Sequence, residues 1–313
     1  MKTHQGITSF KSSRRTVVTV GTFDGLHVGH QKIIDRLIQT AQSYNLESVV
    51  LTFFPHPRMV LQKDSDIKLI NTIEERTQIL SSIGLDHLVI HAFTKEFSRL
   101  SAQEYVEEVL VDKLNVKKII IGYDHRFGRN RTASIKELRS FGEIYDFEVE
   151  EISKQEIEAV SVSSTKVRNA ILEGDITLAN QYLSYPFSIG GKVVKGKQLG
   201  RTLGYPTANI HVAEEYKIIP RNGVYIIRSV IDNQPYFGMM NIGNNPTVGG
   251  KAQTIEAYFF ELSQDLYGSY LSVQLLKRIR DEENFESIEE LVLAMKKDEA
   301  YSKEFLNKFS TRP

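Results

Sequence analysis

The first half of the chain alternates short apolar runs with amphipathic stretches. Thr16-Val17-Val18-Thr19-Val20 is a β-branched run closed by Gly21, the pattern of a buried strand. Ile33, Ile34, Leu37, Ile38 and Ala41 follow at helical spacing. Glu47 to Phe54 reads as a second buried strand. A helix is predicted from Thr72 to Ser82, its apolar side marked by Ile73, Ile79, Leu80 and Ile83. His87 to His91 reads as a short strand. Ser101-Ala102-Gln103-Glu104 has capping-box spacing and opens a helix to Leu114. Lys118 to Gly122 is another strand. This alternation implies an α/β fold, a parallel sheet with helices on both faces.

A helix start is predicted at Ser163-Ser164-Thr165, running through Leu172, and Asp175 opens another through Leu183. From Pro186 the pattern changes. Gly, Pro and Asn punctuate β-rich runs, clearest at Gly223–Ile231, Tyr236–Ile242, Thr254–Glu261 and Leu271–Ile279. Such spacing predicts an antiparallel barrel. Ser287-Ile288-Glu289-Glu290 has capping-box spacing before a closing helix, with Ile288, Leu291, Val292 and Met295 on its packing side. The domain boundary is placed near Ser184-Tyr185-Pro186, giving domains 1–184 and 185–313.

Composition adds bounds. The 313 residues suffice for two ordinary domains, and 39 basic against 39 acidic side chains cancel. That balance argues against a broad footprint for nucleic acid or a membrane surface. With no cysteine, neither a disulfide framework nor a thiolate zinc site can form. Lys2, Lys11, Arg14 and Arg15 precede no apolar stretch long enough for a signal peptide, so a cytoplasmic setting is expected. A homo-oligomer is compatible with the sequence.

Gly21-Thr22-Phe23-Asp24-Gly25-Leu26-His27-Val28-Gly29-His30 joins a strand end to a helix start. Free N–H groups and the helix dipole favour a phosphate at such a junction. Gly25 and Gly29 let the backbone approach closely, and His27 and His30, three apart, share one side of the first turn. Attack on a nucleoside triphosphate needs charge stabilisation and alignment, which two such donors suit. Val162-Ser163-Ser164-Thr165-Lys166-Val167-Arg168 reads either as an ordinary helix cap or as a second phosphate clamp. His56, in Phe53-Phe54-Pro55-His56-Pro57-Arg58, is either a turn residue or a ligand contact. Gly122-Tyr123-Asp124-His125-Arg126-Phe127-Gly128 ends a further strand at the same expected sheet edge.

In the second half, residues 190–209 carry several glycines and lysines, which suit a loop around phosphates or a solvated hairpin. Pro206-Thr207-Ala208-Asn209 sets two neutral oxygens, those of Thr207 and Asn209, two residues apart, where extended chain points them the same way. Mg²⁺ favours such hard oxygens when phosphates supply the rest. Glu256 shares a strand face with Tyr258 and Phe260. It is either half of a cross-strand ion pair or a general base whose partial burial makes it a better proton acceptor.

These strings resemble those of the bacterial bifunctional riboflavin kinase/FAD synthetases. T-V-G-T-F-D-G-L-H-V-G-H, F-F-P-H-P, G-Y-D-H-R-F-G and V-S-S-T-K-V-R resemble the adenylyltransferase module. P-T-A-N, P-R-N-G-V-Y, N-I-G, P-T-V and D-L-Y-G resemble the riboflavin kinase module. The resemblance implies a Rossmann-like nucleotidyltransferase domain followed by an antiparallel β-barrel with a closing helix. It implies that riboflavin is phosphorylated to FMN with MgATP, and that FMN is adenylylated to FAD with release of pyrophosphate. By it, His27 and His30 contact ATP phosphates within a site shaped by Gly21, Phe23, Asp24 and Gly29. Ser164, Thr165 and Arg168 complete that site, and Asp124 lies near nucleotide or flavin. In the second module Gly196, Lys197 and Gly200 bind nucleotide, and Thr207 and Asn209 hold Mg²⁺. Glu256 activates the ribityl hydroxyl, and Arg280, with Glu283 and Phe285, borders the flavin. Two positions depart from the family pattern: His125 stands where an aromatic residue is common, and Asn245 where arginine is common.

Overall fold

The N-terminal part builds a six-stranded, wholly parallel sheet from β1 (Lys2–Gln5), β2 (Thr16–Val20), β3 (Glu47–Phe53), β4 (His87–His91), β5 (Val116–Gly122) and β6 (Glu148–Ile152). Their order is β1-β4-β3-β2-β5-β6. The computed structural model describes residues 1–62, 66–153, 162–196, 200, 203–247 and 250–310. Helices α1 (Val28–Tyr44), α2 (Pro57–Leu61), α3 (Ile73–Ser82), α4 (Ala102–Glu104) and α5 (Ile135–Tyr145) connect the strands. The chain beyond α4 continues helically over Tyr105–Lys113 with wider turns, Leu114 N–H reaching the Val109 carbonyl at 3.0 Å.

Strand alternation sorts the core into two layers. Val18, Val20, Val49, Leu51, Ile119 and Ile121 pack with Tyr105, Val109, Leu110, Leu138 and Phe147. The alternate residues Val17, Val50 and Ile120 are buried on the opposite face, and α1 lies against β2, β3 and β5 with Ile33, Ile34, Leu37 and Ala41 inward. The expected parallel sheet covered on both faces is therefore present.

The chain packs as two units, Met1–Ser164 and Thr165–Pro313. In the second, α6 (Ser164–Glu173) and α7 (Ile176–Leu183) precede the barrel. Asn180 of α7 donates to the Leu275 carbonyl at 2.9 Å and accepts from Phe187 N–H at 2.7 Å. The barrel comprises β7 (Ser188–Val194), β8 (Ala208–His211), β9 (Gly223–Ile231), β10 (Gln234–Thr247), β11 (Gly250–Phe259) and β12 (Tyr270–Arg280), closed in the order β10-β11-β8-β7-β12-β9. Helix α8 (Ile288–Ser310) follows, and Met295 and Leu306 pack into two clusters on the barrel.

Several details differ from the sequence pattern. β1 is a polar edge strand with no apolar alternation, held by parallel pairing to β4 and by a 3.0 Å contact between the rings of His4 and His87. Helix α3 buries Glu75 and Arg76 along with Leu80, while Ile73, Ile79 and Ile83 are only half-buried. Glu75 closes a capping box with Thr72, and Arg76 meets a buried carboxylate. β10 runs past Ile242 through Pro246. There it has lost β9 and keeps β11 alone, an edge position that tolerates a residue without N–H. At the last helix Ser287 accepts from Glu290 N–H as expected, but Glu290 turns back to Glu286 N–H, so the box is half made.

Candidate functional site

The strand order runs to one side of β2 through β3 and β4 and to the other through β5 and β6. A crevice opens at such a switch point, at the carboxyl ends of the strands. Gly21–His30 leaves β2 there, and Tyr123–His125 leaves β5 beside it. Phe23, Gly25 and Leu26 adopt positive φ in the turn, and a Cβ on Gly25 would lie 2.7 Å from Ile70 Cδ1. The turn delivers His27 as the residue before α1. The imidazoles of His27 and His30 stack at 3.8 Å and 18°, with the Phe23 ring edge-on to His30 at 5.2 Å. Gly29 makes that stack possible, because its Cβ would press on the His27 ring at 3.2 Å. Gly21 likewise leaves room for Phe23, at 3.0 Å.

Burial, then the neighbouring His27, then the Arg76 guanidinium hold the His30 pKa well below its usual value. A neutral imidazole carries one N–H and can donate to a phosphate without the desolvation cost of a buried imidazolium. Among the described residues, His30 Nδ1 is buried with no hydrogen-bond partner. Asp24 faces the fold. Its carboxylate accepts from Ile70 N–H at 2.9 Å and Asn71 N–H at 3.3 Å and meets Arg76 at 3.7 Å. Arg76 also donates to Thr52 at 3.2 Å. Asp24 thus shapes the loop from beneath.

Ser164 Oγ donates to the Asp24 carbonyl at 2.8 Å, and the Val162 carbonyl lies 3.9 Å from the Gly29 Cβ position. The 162–164 segment is therefore brought beside the histidine loop. Thr165 and Arg168 lie in α6, within the second unit. His56 accepts from Arg58 N–H at 3.1 Å and caps α2, which favours its turn role. Asp124 is exposed, and His125 is half-buried, stacked against Phe127 at 6.1 Å. Burial pushes the His125 pKa down to about 4.

In the barrel, Thr207 Oγ1 donates to Glu256 Oε2 at 3.1 Å. Asn209 on β8 and Asn241 on β10 are the register partners of Glu256 on the two sides of β11. Among the described residues the carboxylate meets Thr207 and no lysine. Gly196 lies against the Asn209 amide, where a Cβ would overlap it, and Gly200 lies against the Tyr205 carbonyl. Lys197 lies outside the described residues. A cavity of about 280 Å³ opens between Pro206–Ala208, Ala257, Phe259 and the 262–267 loop. Arg280 is held by helix α8. Its guanidinium grips Asp298 of α8 at 2.8 to 3.1 Å and stacks over Phe285 at 5.7 Å. Among the described residues no group of three or more His, Cys, Asp or Glu is arranged for a metal, and no helix is long and apolar enough to cross a membrane.

Arg76, Asp298 and Glu299 belong to no motif in the sequence. Each is a charged residue on a helix, indistinguishable by spacing from one facing solvent.

The fold and these two constellations define a two-unit transferase, with a nucleotidyltransferase-type sheet edge and a phosphate-handling barrel. Comparison with known proteins gives the family. The FAD synthetase family model matches residues 9–166 and the riboflavin kinase model residues 183–306. A bifunctional riboflavin kinase/FMN adenylyltransferase of Buchnera aphidicola subsp. Acyrthosiphon pisum is 36% identical, covering 98% of this chain and 99% of its own. That of Listeria monocytogenes is 35% identical, covering 93% of each chain. A crystal structure of a macrolide-efflux protein from Streptococcus pneumoniae matches with a TM-score of 0.87 at 32% identity, covering 96% of this chain and 98% of that one. The chain belongs to the bifunctional riboflavin kinase/FMN adenylyltransferase family.

Proposed function

We propose that the barrel makes the substrate of the sheet domain, with the activities divided between residues 185–313 and 1–184. The enzyme phosphorylates riboflavin to FMN with ATP and adenylylates FMN to FAD, releasing pyrophosphate. The convergence of Thr207, Asn209 and Glu256 on β11 carries the kinase half of the residue assignment. Glu256 takes the proton of the ribityl hydroxyl. The freed oxygen attacks the γ-phosphorus of ATP, and the bond to the ADP oxygen breaks. Thr207 orients the carboxylate. Gly196, Lys197 and Gly200 bind the nucleotide phosphates, and Arg280, its guanidinium held by Asp298 and Phe285, borders the flavin.

The side chains of Thr207 and Asn209 are hard, neutral oxygen donors beside a carboxylate, a set that fits Mg²⁺. When bound there, the ion would neutralise phosphate charge. These residues hold it and keep Glu256 in line.

In the sheet domain a phosphate oxygen of FMN attacks the α-phosphorus of ATP, and pyrophosphate departs. His27 and His30 donate to the phosphates as charge shifts toward the leaving group. Gly21, Phe23, Asp24 and Gly29 build their platform. Ser164, Thr165 and Arg168 supply the second clamp, and Asp124 borders the acceptor. These partners are small molecules. The balanced charge argues against a broad surface for nucleic acid or membrane, and a cytoplasmic setting is part of the same reading.

Incubation with riboflavin and MgATP, read by chromatography, tests the whole. Glu256→Gln should cut FMN formation by about 10²–10⁴-fold, the worth of a general base, and leave FAD formation from supplied FMN. His30→Ala should do the reverse. Normal FMN formation in the first variant, or normal FAD formation in the second, would remove the corresponding assignment.

A further inference from the structure

The P-T-A-N turn does not stand alone in the barrel wall. Tyr205, immediately before it, is buried, and its hydroxyl donates to Glu299 Oε2 of α8 at 3.1 Å. Lys303, one turn further along α8, holds the other Glu299 oxygen at 2.7 Å. The Tyr205 ring meets Tyr258 edge-on at 5.0 Å, within a cluster that includes Val224, Met239 and Met295. Tyr258 is two residues from Glu256 on the same face of β11. Tyr205 thus touches α8 through its hydroxyl and the Glu256 strand through its ring, and the chain links it to Thr207 through Pro206. The preceding residue of α8, Asp298, grips Arg280 at the end of β12. Neighbouring acids on one helix therefore hold two separate parts of the barrel.

We propose that Tyr205 and Glu299 are positioning residues of the kinase reaction, through which α8 sets the distance between Thr207 and Glu256. A hydroxyl-to-carboxylate bond is charge-assisted and directional, and here it ties a buried ring to a half-buried carboxylate. Its loss frees the turn to move relative to β11, and small displacements at a reacting centre cost rate. Burial, then the bond to Glu299, push the Tyr205 pKa up to about 12, so the hydroxyl remains a donor at neutral pH. The proposal rests on the assignment of Thr207 and Glu256 above.

The test uses the full chain with Tyr205→Phe, Glu299→Ala, Glu299→Gln and the Tyr205→Phe/Glu299→Ala pair. Tyr205→Phe keeps the buried ring and removes only the bond. We expect kcat for FMN formation to fall about tenfold in Tyr205→Phe and in Glu299→Ala, the rate equivalent of one charge-assisted bond. KM for ATP should stay near wild type, as for a loss felt in the transition state. The double variant should lose no more than either single one, because both remove the same interaction. Glu299→Gln retains an acceptor and should recover most of kcat. FAD formation from supplied FMN should be unchanged in every variant. An unchanged kcat in Tyr205→Phe, multiplying losses in the double variant, or a fall in thermal midpoint with normal kcat would overturn the proposal. Glu256→Gln run alongside separates the two readings: if it phosphorylates riboflavin normally, the base assignment fails whatever Tyr205→Phe does.

Discussion

Replacing Asp24 by asparagine tests how the histidine loop is held. Asp24 and Arg76 are each 1% exposed and lie 3.7 Å apart. The Asp24 carboxylate also accepts two backbone N–H groups, those of Ile70 and Asn71. The Asp24→Asn change takes the carboxylate away from the guanidinium and can turn an amide N–H toward the Ile70 and Asn71 donors. Breaking a buried pair by removing one partner costs about 3–5 kcal/mol. The whole stability of a domain is about 5–15 kcal/mol. With a urea dependence of about 2 kcal/mol per molar, a loss of about 4 kcal/mol lowers the midpoint by about 2 M. The assay is urea titration of the full chain with both activities measured in the denaturant. FAD formation should fail at a much lower urea concentration, while FMN formation keeps its wild-type midpoint. Adding Arg76→Met should restore part of the loss, because neither charge of the pair then remains. A FAD-forming midpoint within about 0.5 M of wild type would refute the reasoning, and so would an equal fall in both activities.

Two further outcomes follow from the same geometry. His30, His87, His91 and His125 all have pKa values lowered by burial, His125 to about 4. The unfolded chain therefore binds more protons between about pH 6.5 and 4. The contribution of these groups is complete above about pH 6.5 and lost as pH falls, by up to about 1.4 kcal/mol per pH unit for each titrating ring. The urea midpoint of the FAD-forming unit should drop between pH 7 and 5, less steeply in His125→Phe, and a flat profile would contradict the assignment. Gly196→Ala places a Cβ on the Asn209 amide, so it should impair FMN formation at least about tenfold with FAD formation intact, read by the same chromatography.

The strand and helix alternation of the first half is legible because strands buried in a parallel sheet need continuous apolar runs, and the helices between them need one apolar side. The capping box at Ser101 reads directly, since its bonds span three residues. Thr72-Ile73-Glu74-Glu75 and Ser134-Ile135-Lys136-Glu137 carry the same signal and cap α3 and α5. β1 is not legible, because an edge strand of Lys2-Thr3-His4-Gln5 is defined by β4 beside it, with no pattern of its own.

Within the sites the division is the same. Gly21–His30 and Pro206–Asn209 are contiguous, so their chemistry shows in the residue string: glycine where a side chain would strike a neighbouring ring, and a donor where a phosphate needs one. What those strings rest on is remote in sequence. Arg76 lies under Asp24, Ser164 on the Asp24 carbonyl, Glu299 behind Tyr205 and Asp298 on Arg280. A charged residue on a helix reads as solvent-facing until the fold shows what it faces. Two modules, their fold classes and the short motifs assigned to phosphate are all written in local order along the chain, where periodicity and glycine placement express them. Which charges are buried, and which helix holds the barrel wall, depend on partners 18 to 140 residues apart. The burial and pairing of charged side chains belong to the packed chain, so residue spacing, which marks apolar burial, carries no trace of them.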